Sequence, residues 1–528
     1  MRDFISTLHD RLRRLTADGS GNVAIIFALC LVPIIGLIGA AIDYGRASQT
    51  RERLQNAVDA TTLAVRQVAG TMSQTELEEF ARGFLDANLN GDVSANIVEL
   101  TFDADSDALD MRISTEVDTA LLGLMGISEV PVEAHTRAVV GRTSFEIALV
   151  LDNSGSMAGN RLSNLKDATG QLVDTLFGEE TTHPEVSIAV VPFAAAVNVG
   201  PDHATASWID RHGQSSIHFN NLSSDETDRL GFFDEMRNVS WGGCVEARPY
   251  PLDVLDTPPG SSVSGGTGGN GDTLFVPLFA PDEPDRGATY YNSYLPDSPA
   301  ACGPQNVGWS DYNSSNEQRD FQEQVCKYEN ANPNTQLSYG TRVGPNMLCD
   351  AVPLTPLTNR KSVLDDAVED LDAYGGTNIH MGLMWGWRTL SPGAPFTTGL
   401  PYDDETNRKI LVLMTDGANF HGAFNNINGS WYSAYGYAEE DRLGNNLTTS
   451  TQLRNAMNQR TSEACENIKN AGIAIYTIAF DVPDDTTRDL IQSCASSGSM
   501  AYTARTSSEM VDVFVTITNQ LSQLRLTR

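Results

Sequence analysis

Residues Val23 to Ile42 read VAIIFALCLVPIIGLIGAAI, an apolar run of 20 residues without a charge. As a helix it covers ~30 Å, the hydrocarbon thickness of a bilayer, so the pattern predicts a transmembrane helix over 23–42. Arg2, Arg11, Arg13 and Arg14 precede it, which places residues 1–22 in the cytoplasm and exports the bulk of the chain. The run exceeds the apolar part of a secretory signal. Asp43-Tyr44-Gly45-Arg46 also stands where a cleavable signal carries small residues, so a retained anchor is expected. Pro33 is a candidate kink, which membrane helices tolerate. Beyond the anchor, Leu54, Val58, Thr61, Val65 and Val68 recur at three- and four-residue steps. That period predicts an amphipathic stalk helix whose apolar face the next domain covers.

Residues 74–90 continue the helical period, and from Asn96 the pattern changes to alternation in NIVELTFDA, ALDMRISTEV and VPVEAHTRAVVG. Helix followed by antiparallel strands predicts a small α+β domain over 43–141. Phe145 to Leu151 (FEIALVL) is a continuous apolar run, as in a strand buried on both faces. A helix over Arg161 to Phe177 and a strand over Val186 to Phe193 complete a βαβ unit, which implies a parallel sheet. After residue 356 the alternation resumes. Helices are predicted over 359–371, 378–390, 450–470 and 507–524, with buried strands over 409–414 and 472–480 and a short strand over 500–503. The fold class is therefore α/β over 142–199 and 356–528, a mostly parallel sheet with helices on both faces.

Between the two stretches, residues 200–355 break the pattern. They are rich in Gly, Pro, Asn, Ser and Asp, and Thr257 to Gly271 (TPPGSSVSGGTGGNG) reads as a flexible loop. Phe232, Phe233, Trp241, Tyr290, Tyr291, Trp309 and Tyr312 show that the rest is no mere linker. An insertion held by disulfides among Cys244, Cys302, Cys326 and Cys349 fits, with three possible connectivities. Its aromatics suggest that it shapes a ligand face at the top of the sheet.

Composition narrows the chemistry. The 528 residues carry 35 Lys and Arg against 68 Asp and Glu, a net charge of -33. Such a surface repels phosphate backbones and attracts cations, so nucleic acid is excluded as a partner. Cys30 lies in the apolar run, and the other six cysteines form no CxxC pair. Three disulfides in an oxidising compartment account for them better than thiolate-bound zinc does.

Three loops carry hard oxygen donors. Asp152-Asn153-Ser154-Gly155-Ser156 ends the first buried strand, at the sheet edge where ligands bind in open parallel sheets. Its spacing puts one carboxylate and two hydroxyls on one turn. Gly375-Gly376-Thr377-Asn378 brings a third hydroxyl before a helix, and Met414-Thr415-Asp416-Gly417 a second carboxylate after a strand. These donors suit Mg²⁺, Mn²⁺ or Ca²⁺ and not a soft metal. His380, three residues after Thr377, is expected on a solvated helix face.

The combination resembles the von Willebrand factor A domain and its metal-ion-dependent adhesion site, with D-x-S-x-S, a Thr and an Asp falling on Asp152, Ser154, Ser156, Thr377 and Asp416. By that resemblance Ser154, Ser156 and Thr377 touch the ion, Asp152 and Asp416 act mainly through bound waters, and a partner's Asp or Glu takes the open position. Mg²⁺ is the first expectation, Mn²⁺ and Ca²⁺ the alternatives. Gly21-Asn22-Val23-Ala24, Phe27-Ala28-Leu29, Pro33 and the long helix resemble TadE/TadG-like pilus-assembly proteins, whose TadG type joins such an anchor to a von Willebrand A region. Pilin-like relatives carry Glu where Ile25 or Ile26 stands here, which argues against prepilin processing. Cys465 and Cys494 flank the strand 472–480 and are expected to pair, stabilising by ~3 kcal/mol in the loop-entropy picture.

The resemblance implies a membrane-anchored, cation-dependent binding component of Tad/Flp pilus assembly, single-pass in the bacterial inner membrane with its bulk in the periplasm. Its implied partners are other Tad components and a protein ligand offering a carboxylate. An envelope or surface adhesin without a pilus role is the alternative. A metal-assisted hydrolase is the third reading, and the residues oppose it. Ser154 and Ser156 lie outside any G-x-S-x-G elbow, HExxH and the phosphate-binding G-x-x-x-x-G-K-[ST] are absent, and the Asp152 loop offers D-x-S where an aspartyl phosphatase needs D-x-D. No enzyme is expected.

Overall fold

The computed structural model describes residues 20–526 apart from 67, 70–71, 90, 92, 104–107, 140–143, 224–226, 263–268, 286–289, 298–314, 336 and 339–340. Arg2, Arg11, Arg13, Arg14, Cys302, Trp309, Tyr312 and part of the loop 257–271 lie outside the described residues. Contacts divide the chain into two units, Met1–Gly141 and Arg142–Arg528.

In the first unit, helix α1 (Ser20–Arg66) runs unbroken through Pro33, so anchor and stalk are one element of 47 residues. Its upstream apolar side chains stand exposed, Phe27 by 65% and Leu37 by 73%. From Ala47 onward the apolar side chains Leu54, Val58 and Val65 are buried instead. They pack on Leu77, Ala81 and Leu85 of α2 (Gln74–Leu89) and on a three-stranded antiparallel sheet. Its strands β1 (Asn96–Asp103), β2 (Ala108–Asp118) and β3 (Glu129–Val139) lie in that order. On β2 the alternation places Leu109, Met111 and Ile113 in the core and turns Asp110 and Arg112 away. Thr61 and Thr62 are buried in the helix, where their hydroxyls donate to the Ala57 and Val58 carbonyls.

The second unit opens with β4 (Ser144–Asp152), α3 (Asn160–Phe177) and β5 (Val186–Phe193). The inserted segment contributes two short helices, α4 (Arg229–Glu235) and α5 (Ser315–Glu323), and a two-residue ladder of β6 (Leu337–Ser338) with β7 (Thr341–Arg342). Then follow β8 (Thr355–Thr358), α6 (Lys361–Glu369), α7 (Ile379–Leu390), β9 (Asn407–Thr415) and α8 (Ser450–Asn470). The unit closes with β10 (Ala474–Phe480), α9 (Asp485–Cys494), β11 (Ala501–Ala504) and α10 (Ser507–Leu526). The sheet order is β11-β10-β9-β4-β5-β8, parallel except for the β5–β8 pair. β8 is the strand of this sheet that the sequence pattern did not foresee: four residues, one of them Pro356, carry no readable period.

Successive β4 residues feed opposite layers, as a sheet buried on both faces requires. Ala148 and Val150 join α7, α8 and α9 on one face, while Ile147, Leu149 and Leu151 join α3, α6 and α10 on the other. The insertion's aromatics extend the first layer. Trp208 and Phe275 pack on Trp385 of α7, with ring centroids 6.4 and 4.9 Å away. Cys465 of α8 is bonded to Cys494 of α9, and Cys244 to Cys349 within the insertion.

A candidate cation site at the carboxyl edge of the sheet

Strand order reverses around β4, with β5 on one side and β9 on the other, and the loops leaving their carboxyl ends open a crevice there. Asp152 is the last residue of β4 and Asp416 follows the last residue of β9. Backbone bonds pin the three loops together. Gly155 N–H donates to Gly375 O (3.0 Å), and Phe420 N–H donates to Thr377 O (2.9 Å). Gly375 adopts a φ of 71°, which a residue with a Cβ rarely tolerates. Asn378 then starts α7, its side chain accepting from Met381 N–H (3.2 Å).

All five predicted residues meet here. Ser154 and Ser156 hydroxyl oxygens lie 3.0 Å apart, and Ser156 donates to Asp416 Oδ1 (2.6 Å). Asp152 accepts from Ser154 N–H (2.8 Å) and from the Thr415 hydroxyl (2.6 Å). A Cβ built on Gly417 would sit 3.1 Å from Thr377 Oγ1 and 3.8 Å from Ser156 Oγ, so the three loops converge on that glycine. Ser154, Ser156 and Thr377 line one cavity of about 400 Å³, whereas Asp152 and Asp416 are buried behind them. Among the described residues no three His, Cys, Asp or Glu side chains cluster as metal ligands. The set at this edge has two carboxylates, and its other oxygens are hydroxyls.

Electrostatics set the site apart. Burial, and then the charge of Asp416, push the Asp152 carboxyl up to about 6. Sequence reasoning missed a cation that stands beside the site. Arg161, in the first turn of α3, reaches Asp416 Oδ2 (2.7 Å) and Asp481 Oδ2 (2.6 Å). The signal was available, since Arg161 follows the Asp152 loop directly. Two buried carboxylates, three hydroxyls and no soft donor fit a hard divalent cation.

His380 is a correction. The residue is buried, not solvated. Its ring bonds the Tyr435 hydroxyl (2.7 Å) and the Asp253 carbonyl (3.0 Å), and burial followed by Arg388 pulls its pKa down to about 3. It supports the loop after Asp416 from beneath and takes no place at the rim.

That loop supplies the aromatic wall of the cavity. Phe420 and Trp431 line it, and the insertion adds Leu348 alone among the described residues. The insertion acts behind the wall, where Tyr291 packs on Phe424 and Trp431 with centroids 4.8 and 5.5 Å away. His421, also lining the cavity, is neutral because burial lowers its pKa to about 4. Its Nε2 lies 3.1 Å from the Trp431 carbonyl, which can only accept, so Nδ1 is an acceptor. Neither that nitrogen nor the Trp431 indole N–H has a hydrogen-bond partner among the described residues.

With the geometry in view, comparison with known proteins adds the following. Residues 21–68 match the family described as putative Flp pilus-assembly TadE/G-like. The N-terminal segment is TadE/G-like. No curated protein matches the chain. Solved structures similar to it include the pilus adhesin SpaC from Lactobacillus rhamnosus GG, in its open conformation (12% identity, TM-score 0.31), matched over 81% of this chain and 33% of SpaC. The chain thus spans about a third of that adhesin's length. The vWF domain of the type V pili tip protein Mfa5 from Porphyromonas gingivalis is similar at 10% identity and TM-score 0.32, over 72% of this chain and 96% of that one. Proximal thread matrix protein 1 from the mussel byssus, with a zinc-occupied MIDAS motif, is similar at 12% identity and TM-score 0.28, over 73% and 47%. At these scores the likenesses decide nothing about ligand or activity. The TadE/G-like segment and its apolar helix fit a membrane-anchored, pilus-associated chain.

Proposed function

We propose that this chain is a membrane-anchored component of a Tad/Flp-type pilus-assembly system that binds a partner protein through a divalent cation, Mg²⁺ first. The anchor sits in the inner membrane with the second unit in the periplasm. The observation that carries the reading is the convergence of Asp152, Ser154, Ser156, Thr377 and Asp416 from three separate loops. When bound, the cation would be held by the three hydroxyls and balanced by the two carboxylates, and it supplies a Lewis-acidic seat for a partner's Asp or Glu. The chain's own residues do the rest. Arg161 orients Asp416, Thr415 orients Asp152, and the aromatic wall receives the side chain next to the partner's acid. No role in catalysis is assigned.

The test is capture of envelope proteins on the exported unit of the tagged full chain, with Mg²⁺ and with EDTA, in parallel with Asp416→Ala. A specific partner is expected with Mg²⁺ alone, lost with EDTA and with the variant. A partner held equally in all three conditions would remove the cation from the reading. A Tad component among the captured proteins separates the pilus role from an adhesin without one.

A further inference from the structure

We infer that the tip of the β2–β3 hairpin, residues 120–127, is a second membrane-contact element, seated in the headgroup and upper acyl region of the bilayer that α1 crosses. The inference rests on the reading of α1 as an anchor. Between Asp118 and Glu129 the chain reads TALLGLMGIS, ten residues without a charge. A hairpin tip facing water is normally polar, built from Gly, Asn, Asp and Ser. This one holds Leu121, Leu122, Leu124, Met125 and Ile127, and Ile127 stands 50% exposed.

The tip is not free to sit elsewhere. Asp43, the first charged residue after the apolar run, accepts the backbone N–H groups of Ala120 (2.8 Å), Leu121 (3.0 Å) and Leu122 (2.8 Å). These are the orphan donors at the start of the 3₁₀ turn Leu122–Met125. Leu121 also lies so close to Gly39 that a Cβ there would meet its Cβ at 2.6 Å. The buried stripe of α1 therefore begins at Gly39 and continues through Asp43 and Ala47. Gly39 lies one helical turn inside the apolar run, ~5 Å below its end at the helical rise. The tip is held at that depth, beside the exposed Ile35, Ile38 and Ile42.

That continuity selects lipid as the occupant. A soluble partner would have to reach the tip through the plane occupied by the bilayer. The flanking charges name the headgroup class. Glu116, Asp118 and Glu129 are exposed on the strands above the tip, and Asp118 faces Glu129 across the ladder. Three carboxylates repel anionic lipid and suit a zwitterionic, ammonium-bearing headgroup. The tip then fixes the rotation of the first unit about α1, which a single helix alone leaves undetermined.

Nitroxide accessibility tests this on the full chain, carrying Cys30→Ser and reconstituted in phosphatidylethanolamine vesicles. Single thiols are placed by Ile127→Cys, Ile34→Cys and Leu63→Cys. The expected result is a several-fold higher oxygen-to-nickel accessibility ratio at position 127 than at 63, and a higher one still at 34. Adding Asp43→Ala should move position 127 toward the value at 63 and leave 34 unchanged. If 34 reads as hydrocarbon while 127 reads as water, the tip proposal falls and the anchor stands. If 34 itself reads as water, both fall. A label at 127 shielded from both relaxants places protein over the tip and also overturns the proposal. An unchanged 127 in the Asp43→Ala chain overturns the role given to Asp43.

Discussion

The inserted segment and the crevice at the sheet edge both bury charge, and they treat it in opposite ways. In the insertion, Glu246 lies between Arg229 and Arg442 and also accepts from the Tyr432 hydroxyl. Burial opposes its ionisation, yet the two guanidiniums hold its carboxyl below the usual range. Arg229 spends its remaining donors on the carbonyls of Ile217, His218 and Pro277. The cluster is complete within the protein. At the crevice, Asp152 and Asp416 repel each other, and among the described residues Arg161 alone forms an ion pair there, with Asp416, itself 36% exposed and shared with Asp481. Buried charge that a protein neutralises internally is structural. Buried charge left over, on hard oxygen donors, is where an outside cation lowers the free energy.

The sharpest way to break this contrast is to remove the acid from each cluster. Glu246→Ala strands Arg229 and Arg442 without the carboxylate they are paired with, and should cost about 3–5 kcal/mol of stability, read by denaturant unfolding in EDTA. Asp152→Asn removes a repelled charge instead, and at neutral pH should leave the cation-free protein as stable as the parent or more so. Equal losses for the two would end the distinction.

A pH series sharpens it. The folded Asp152 carboxyl, at about 6, binds its proton more tightly than the ordinary value of 3.8. Its contribution to folding is therefore fully present below that ordinary value and is lost as pH rises through 6. Relative to Asp152→Asn, the cation-free parent should lose on the order of 2–3 kcal/mol across that window. Saturating Mg²⁺ should restore the difference above pH 6 and fail to do so below it, where the proton competes. A difference independent of pH and of Mg²⁺ would mean that the carboxyl is already satisfied by the protein.

Legibility in the sequence follows the same divide. The strands of the large sheet announce themselves because burial on both faces leaves runs such as FEIALVL and KILVLM. Asp152, Ser154 and Ser156 are readable because one turn holds them, and Thr377 and Asp416 because each sits where a strand ends or a helix begins. The Cys465–Cys494 bond is readable because the two cysteines flank the buried strand 472–480. What escaped depended on partners far along the chain. His380 looks like a helix-face residue until Tyr435 and the Asp253 carbonyl close over it. The insertion has no period to read, since its order comes from contacts such as Arg229 with Glu246 and Phe275 with Trp385. Its described aromatics form a core layer and brace the wall loop, and among the described residues of the insertion only Leu348 reaches the cavity.

Arg161, the cation beside the crevice, yields the smallest expected effect. Its guanidinium spans Asp416 and Asp481 and lies over the Phe480 ring at 5.5 Å. Toward the crevice it does two things that oppose each other. It fixes the Asp416 carboxylate, which favours a cation, and it places a like charge beside the cation's seat, which disfavours one. Ser156 already holds the other Asp416 oxygen at 2.6 Å, so orientation survives the loss of Arg161 and repulsion does not. Arg161→Ala should therefore tighten Mg²⁺ binding about five-fold, on the order of 1 kcal/mol for a pair this exposed, measured by calorimetric titration. The gain should shrink in high salt, which screens the guanidinium's charge while leaving the Ser156 bond in place. Weaker binding in the variant would make Arg161 part of the scaffold that builds the seat, and the crevice would then resemble the insertion more closely than its carboxylates suggest.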